Sequence, residues 1–185
     1  MEQNVIRINR WNMAGKYGLV FGLISAAYLY YGHLTVALGL TGFVSSALGF
    51  IIWAAKFVGC IKLMKYCMNR FTIENPTATN SDTFKLGTLI AMFSAIVFSV
   101  ITVADHLYIF PEYYQSLYAA MIQEYSKFMS AAKIDEMKAM LADAPKTAFI
   151  GTFIYCFLFG TVLSLILSRN IPSKDPFQNI KPDEQ

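Results

Sequence analysis

Charged side chains are scarce in this 185-residue chain: Asp, Glu, Lys and Arg make up 15% of it, where a soluble domain carries about 25%. A surface wetted on every side is therefore excluded. Cysteine is sparse as well. Cys60, Cys67 and Cys156 show no CxxC or CxxH spacing, which argues against a zinc site or a disulfide framework. Two histidines, His33 and His106, are too few for a self-contained metal cluster. No phosphate-cradling Walker loop, HExxH, GxSxG or DxD-type sugar-nucleotide motif occurs. These residues call for no metal and no cofactor. What the chain has in excess is apolar: 56% of residues are hydrophobic, the mean hydropathy is +0.44, and the length suits one domain.

A bilayer core needs about 20 apolar residues in helix, and four stretches approach or exceed that length. They run from about Gly15 to Tyr31, Thr35 to Val58, Phe84 to Ile109 and Lys146 to Leu167. Ser25-Ala26-Ala27 loosely resembles a signal-peptidase site, but the apolar run before it is short and another span follows almost at once, so an uncleaved helix is expected. Gly18-xxx-Gly22, Gly42-xxx-Ser46, Ser45-xxx-Gly49 and Gly160-xxx-Ser164 put small residues on one helix face, where backbones can approach closely. Packing inside the bundle is the reading preferred for Gly18, Gly22, Gly160 and Ser164, over a dimer interface. The expected fold is all-α, an integral membrane four-helix bundle with an amphipathic helical insertion between spans three and four on the outer side.

Lysine and arginine bias sets orientation. The N-terminal flank (Arg7, Arg10, Lys16), the connection between spans two and three (Lys56, Lys62, Lys65, Arg70, Lys85) and the C-terminal tail (Arg169, Lys174, Lys181) hold eleven of the fifteen basic residues. Both termini are thus expected in the cytoplasm, with residues 169–185 a flexible tail. Lys56 is read as lying near the inner end of the second span, where it snorkels to headgroups. The basic stretch beyond it suits anionic lipid better than nucleic acid. Trp11 and the group Tyr28, Tyr30 and Tyr31 read as aromatic belts. Asp82 is expected to cap the third span.

The connection from Pro111 to Pro145 is too long for a simple loop. Tyr114, Tyr118, Met121, Tyr125 and Phe128 recur at three- and four-residue steps, continuing to Met129 and Ala132, as one apolar stripe on a helix. A shorter helix is expected to start near Asp135. Such a stripe can cover the bundle mouth or meet a partner, and amphipathicity alone leaves both open.

Ionisable groups within or beside a span are functional candidates by default. Asp105 and His106 near the outer end of span three, with His33 and Glu112 at similar depth, form a candidate polar cluster at the outer mouth. The blander expectation is that these side chains bond to water, headgroups or Tyr108, with Asp105 interfacial.

The order of elements resembles a family of small bacterial inner-membrane proteins known as domain of unknown function 4199. The likeness rests on the basic N-terminus leading into Lys16-Tyr17-Gly18-Leu19-xx-Gly22 and on the basic end of span two. It continues through Leu107-Tyr108-xx-Pro111-Glu112-Tyr113 and the outer helices before the last span. The family has no established activity or site residues to carry over. The resemblance implies a companion of envelope enzymes, lipid-linked sugar transferases among them. The function expected is a non-catalytic scaffold or accessory subunit in the bacterial inner membrane; an oligomeric small transporter or channel is the alternative, and a lipid-modifying enzyme using Asp105 and His106 a third. The expected partners are the bilayer, another membrane protein or further copies of the chain, and no nucleic acid.

Overall fold

The computed structural model describes residues 2–39 and 42–172. Most of the C-terminal tail expected to be flexible, with Lys174 and Lys181, lies outside the described residues. Among the described residues six α-helices follow in order: α1 Glu2–Ala37, α2 Gly42–Glu74, α3 Asn80–Ala104, α4 Pro111–Tyr125, α5 Ala131–Ala142 and α6 Ala144–Ser168. A π-helical turn, Asp105–Ile109, prolongs α3. Among the described residues four helical stretches are long and apolar enough to cross a membrane, and they correspond to the four expected spans.

Helix ends differ from expectation in physically legible ways. The first helix runs on past Tyr31 to Ala37, so Thr35 belongs to its last turn and not to the second span. It stops at Gly39, whose φ of 63° is the left-handed conformation that ends helices. Helix α2 runs on past Val58 through Cys60 and Cys67 to Glu74. Thr79, not Asp82, is the N-cap of α3. The Thr79 hydroxyl accepts from the Asp82 N–H while the Asp82 carboxylate accepts from the Thr79 N–H, a reciprocal capping box. Helix α5 begins after Ser130 rather than at Asp135. The expected single stripe is cut by the turn after Tyr125, which carries Phe128 and Met129.

The four long helices do not close into a symmetric bundle. Helix α3 packs along its length on α1 to one side and α6 to the other, while α2 meets the other three far less extensively. Small residues make the close contacts. A Cβ placed on Gly22 would come within 2.6 Å of the Val97 Cγ1, and one on Gly160 within 2.5 Å of the Ala91 Cβ. The GxxxG face of α1 is therefore spent on α3. Gly160 and Ser164 meet Ala91 and Gly87 across the α3–α6 seam, and the Ser164 hydroxyl donates to the Phe84 carbonyl at 2.9 Å. The Asn80 amide donates to the Ser168 carbonyl at 2.6 Å, capping the end of α6.

Helices α1 and α3 run parallel in constant register. Arg10 pairs with Asp82 at 3.1 Å and His33 with Asp105 at 2.8 Å, each pair 72 positions apart in sequence. The twenty-three-residue step from one pair to the other spans roughly 35 Å at 1.5 Å per residue, slightly more than a hydrocarbon core. The Arg10–Asp82 end is called the near face and the His33–Asp105 end the far face. The buried apolar core lies toward the near face, where Met64, Met68 and Phe71 of α2 pack against Tyr17, Phe21, Leu86 and Ile90. Among the described residues the first half of α2 adds none to that core.

Candidate functional site

The far-face site starts from a proline. Pro111 cannot donate a helical hydrogen bond, and it biases Phe110 out of the α region; Phe110 sits at φ −131°, ψ 50°. The chain reaches it through one wide turn, in which the Phe110 N–H donates to the Asp105 carbonyl at 3.0 Å. π-Helical turns of this kind are frequent at functional sites. Pro111 then opens α4, which folds back over the mouth and brings Tyr114 to Asp105.

Asp105 is fully buried. Its Oδ2 lies 2.8 Å from His33 Nε2, and it accepts from the Tyr114 hydroxyl at 2.6 Å. Three elements, α1, the π-turn and α4, thus each supply one side chain to a single contact. Its Oδ1 has no partner among the described residues. A desolvated carboxylate is tolerated only when paired and hydrogen-bonded, and the contacts of His33 and Tyr114 meet that need at Oδ2 alone.

Rings enclose the pair. His33 stacks on Phe110 with centroids 4.4 Å apart and meets Tyr113 edge-on at 4.9 Å. His106 stacks on Tyr114 at 3.6 Å. Its Nδ1 is 2.8 Å from the Thr102 carbonyl; because a carbonyl only accepts, Nδ1 carries a proton. Burial, reinforced by the bond to Asp105, pushes the Tyr114 hydroxyl well above its ordinary pKa, and burial raises Tyr118 as well. The arrangement is a latch that holds the outer helices against α1 and α3.

Of the four residues proposed for the polar cluster, His33 and Asp105 make direct contact and His106 joins through Tyr114. Glu112 does not: it is exposed, and no hydrogen bond or ion pair ties it to the others among the described residues. Asp105 is buried in protein because α4 folds over it, and its partners are His33 and Tyr114. Tyr108, expected as its partner, is 80% exposed instead. Among the described residues no group of three His, Cys, Asp or Glu side chains is disposed to hold a metal ion. The proposed contact stripe also divides. Tyr114 and Tyr118 are partly buried, while Met121, Tyr125 and Phe128 are exposed.

One side chain was misplaced by sequence reasoning. The Lys56 ammonium lies 4.8 Å from the centre of the Tyr28 ring and 5.7 Å from that of Phe98. Tyr28 precedes His33 by five residues and Phe98 precedes Asp105 by seven, so Lys56 is about 8–10 Å below the latch and far from the near face. It is not at the inner end of its span, because α2 continues eighteen residues beyond it to Glu74. A lysine at the centre of a span costs roughly 2.5–3.5 kcal/mol on insertion scales, and one at the depth of Lys56 costs less. Two aromatic faces offset part of that, at about 0.5–2 kcal/mol each. Lys56 lines a cavity of about 170 Å³ between α2 and the other long helices, whose walls include Phe21, Trp53, Phe57 and Phe159 with Cys60 and Cys156. The signal available in sequence was its eighteen-residue distance from the next turn-forming segment.

Residues 16–169 match the family described as protein of unknown function (DUF4199). No curated protein matches the chain, and no solved structure does.

Proposed function

The chain belongs to this family of unknown function, and from that premise we propose that it serves as a non-catalytic accessory subunit of a membrane complex, presenting its far-face helices to a second membrane protein. The observation that carries this reading is the division of the α4–α5 surface. Tyr114 is consumed by the latch on Asp105, while Met121, Tyr125, Phe128 and Met140 point away and stay exposed. Tyrosine and methionine combine large contact area with adaptable shape, which suits a recognition surface. A bacterial inner-membrane setting with both termini cytoplasmic would place this surface outside, and an envelope enzyme acting on lipid-linked sugars is the expected class of partner.

The GxxxG face of α1, a candidate partner surface from sequence, is not part of the proposal because α3 occupies it. The test is affinity purification of the tagged full chain in mild detergent, read by mass spectrometry. One membrane protein should be recovered in stoichiometric amount, and Tyr125→Ala with Phe128→Ala should release it while the chain remains folded. Recovery of the chain solely as a homo-oligomer would instead favour the transporter reading. A partner retained by the double variant would exclude the α4–α5 surface.

A further inference from the structure

The groove beside Lys56 is separate from the latch and from the α4–α5 surface. We propose that it binds one anionic lipid, with an acyl chain along Trp53, Phe57 and Phe159 and the acidic headgroup on the Lys56 ammonium. Charge complementarity is the first argument. No acidic side chain lines the groove, and among the described residues Lys56 makes no ion pair; its contacts are the faces of Tyr28 and Phe98. Aromatic faces stabilise a cation without neutralising it, so the charge still lacks a counter-ion.

The second argument is shape and position. The rim residues Trp53, Phe57 and Phe159 are 44%, 37% and 40% exposed, at a depth where the surroundings are acyl chains. The groove therefore opens sideways to lipid, which disfavours a free aqueous anion. The hydroxyls of Ser25 and Ser94 line the same wall and supply donors for headgroup oxygens. Helix α2 meets the other long helices less extensively than α3 meets α1 and α6, and a Cβ on its Gly49 or Gly59 would meet nothing within 4 Å.

Trp11 and Trp53 are the two tryptophans of the chain, so Trp11→Phe leaves the groove's own fluorophore as sole reporter. The full chain carrying that substitution is placed in nanodiscs of phosphatidylcholine doped with brominated phosphatidylglycerol, or with brominated phosphatidylcholine of identical chains. An ion pair on the Lys56 ammonium worth about 1 kcal/mol corresponds to an anionic-lipid preference of about fivefold. Trp53 quenching should therefore reach its half-maximum at about fivefold lower mole fraction of the brominated phosphatidylglycerol. Lys56→Met should abolish the difference and Lys56→Arg should keep it, with helical circular dichroism unchanged in both. Equal quenching by the two lipids overturns the proposal, as does a preference that survives Lys56→Met. Native mass spectra in which Lys56→Met changes the dimer fraction and not the bound phosphatidylglycerol would assign the groove to a second copy, and overturn it too.

Discussion

His33 and Asp105 meet at 2.8 Å across parallel helices, and the carboxylate in that contact is wholly buried. The pair sits at the same sequence offset as Arg10 and Asp82. The α1–α3 pair is thereby pinned by one charged contact at each end of its membrane-crossing length, with small residues filling the seam between. The far contact does more than the near one, because Tyr114 recruits the outer helices to it.

Removing the carboxylate should therefore loosen two elements at once. Asp105→Ala leaves the His33 ring nitrogen and the Tyr114 hydroxyl buried without an acceptor, at an expected cost of about 3 kcal/mol. Tyr114→Phe keeps the ring on His106 and loses one charge-assisted bond, about 1.5 kcal/mol. Both are read as detergent-solubilised thermal stability. A double-mutant cycle of His33→Ala with Asp105→Ala should show coupling well above 0.5 kcal/mol; additive losses would mean the two do not interact.

The Tyr114 hydroxyl should titrate late. Its pKa lies above the ordinary value near 10 in the folded chain, so its contribution to stability is fully present below that pH. The contribution fades as pH climbs through the raised value, because the unfolded chain releases the proton first. Tyrosinate absorbance near 295 nm, compared with that of Tyr114→Phe, should show the missing phase at the alkaline end of the curve. A phase at ordinary tyrosine pH would contradict the buried bond.

Glycine substitutions should divide by where α3 is. Gly22→Val and Gly160→Val drive a side chain into Val97 and Ala91, and overpacking of this kind costs about 1–3 kcal/mol. Gly49→Ala and Gly59→Ala enter open space and should stay within about 0.5 kcal/mol of the parent. Thermal melts of the four variants make the comparison. Equal losses at all four would mean that closeness to α3 is not what makes these glycines matter, since replacing glycine raises helix propensity.

Asp82 holds two contacts, the capping box with Thr79 and the ion pair with Arg10. Asp82→Ala should cost about 1–2 kcal/mol, as both the Thr79 N–H in the capping box and the Arg10 guanidinium lose their acceptor, while Arg10→Ala should cost under about 1 kcal/mol. Equal losses from the two substitutions, in the same melting assay, would place the energy in the ion pair.

Orientation is checked directly by labelling. Ser130→Cys, in the turn before α5, should react with a membrane-impermeant maleimide added to intact cells. Thr77→Cys, between α2 and α3, should react only after lysis. The reverse pattern would invert the proposed topology.

Much of this architecture was legible along the chain. A span announces itself by apolar length, and the four stretches read from the sequence correspond to four helices of membrane-crossing size. A second, shorter helix in the outer connection was also visible, though it begins after Ser130 and not near Asp135. The failures share a cause. Asp82 looked like a cap because its type suits one, yet the backbone turned three residues earlier at Thr79. Glu112 looked like a fourth cluster member because it is near Asp105 in sequence, yet α4 directs it to the exterior. Lys56 looked like an inner anchor because apolar residues precede it and basic ones follow. Its depth depends on how far α2 rises beside Tyr28 and Phe98.

The latch was suspected from the sequence and assembled only in three dimensions. Hydropathy and helical period are properties of a residue and its near neighbours, so the amino-acid order by itself determined that four helices are long and apolar enough to span a bilayer, and that an amphipathic segment separates the last two. Whether His33 reaches Asp105 depends on the axial register of two helices 72 residues apart in sequence. That register is set by Gly18 and Gly22 closing on α3, by Arg10 on Asp82, and by a proline-forced turn that swings Tyr114 inward. Only the tertiary structure decided it, because long-range register is the sum of contacts that no single stretch of sequence contains.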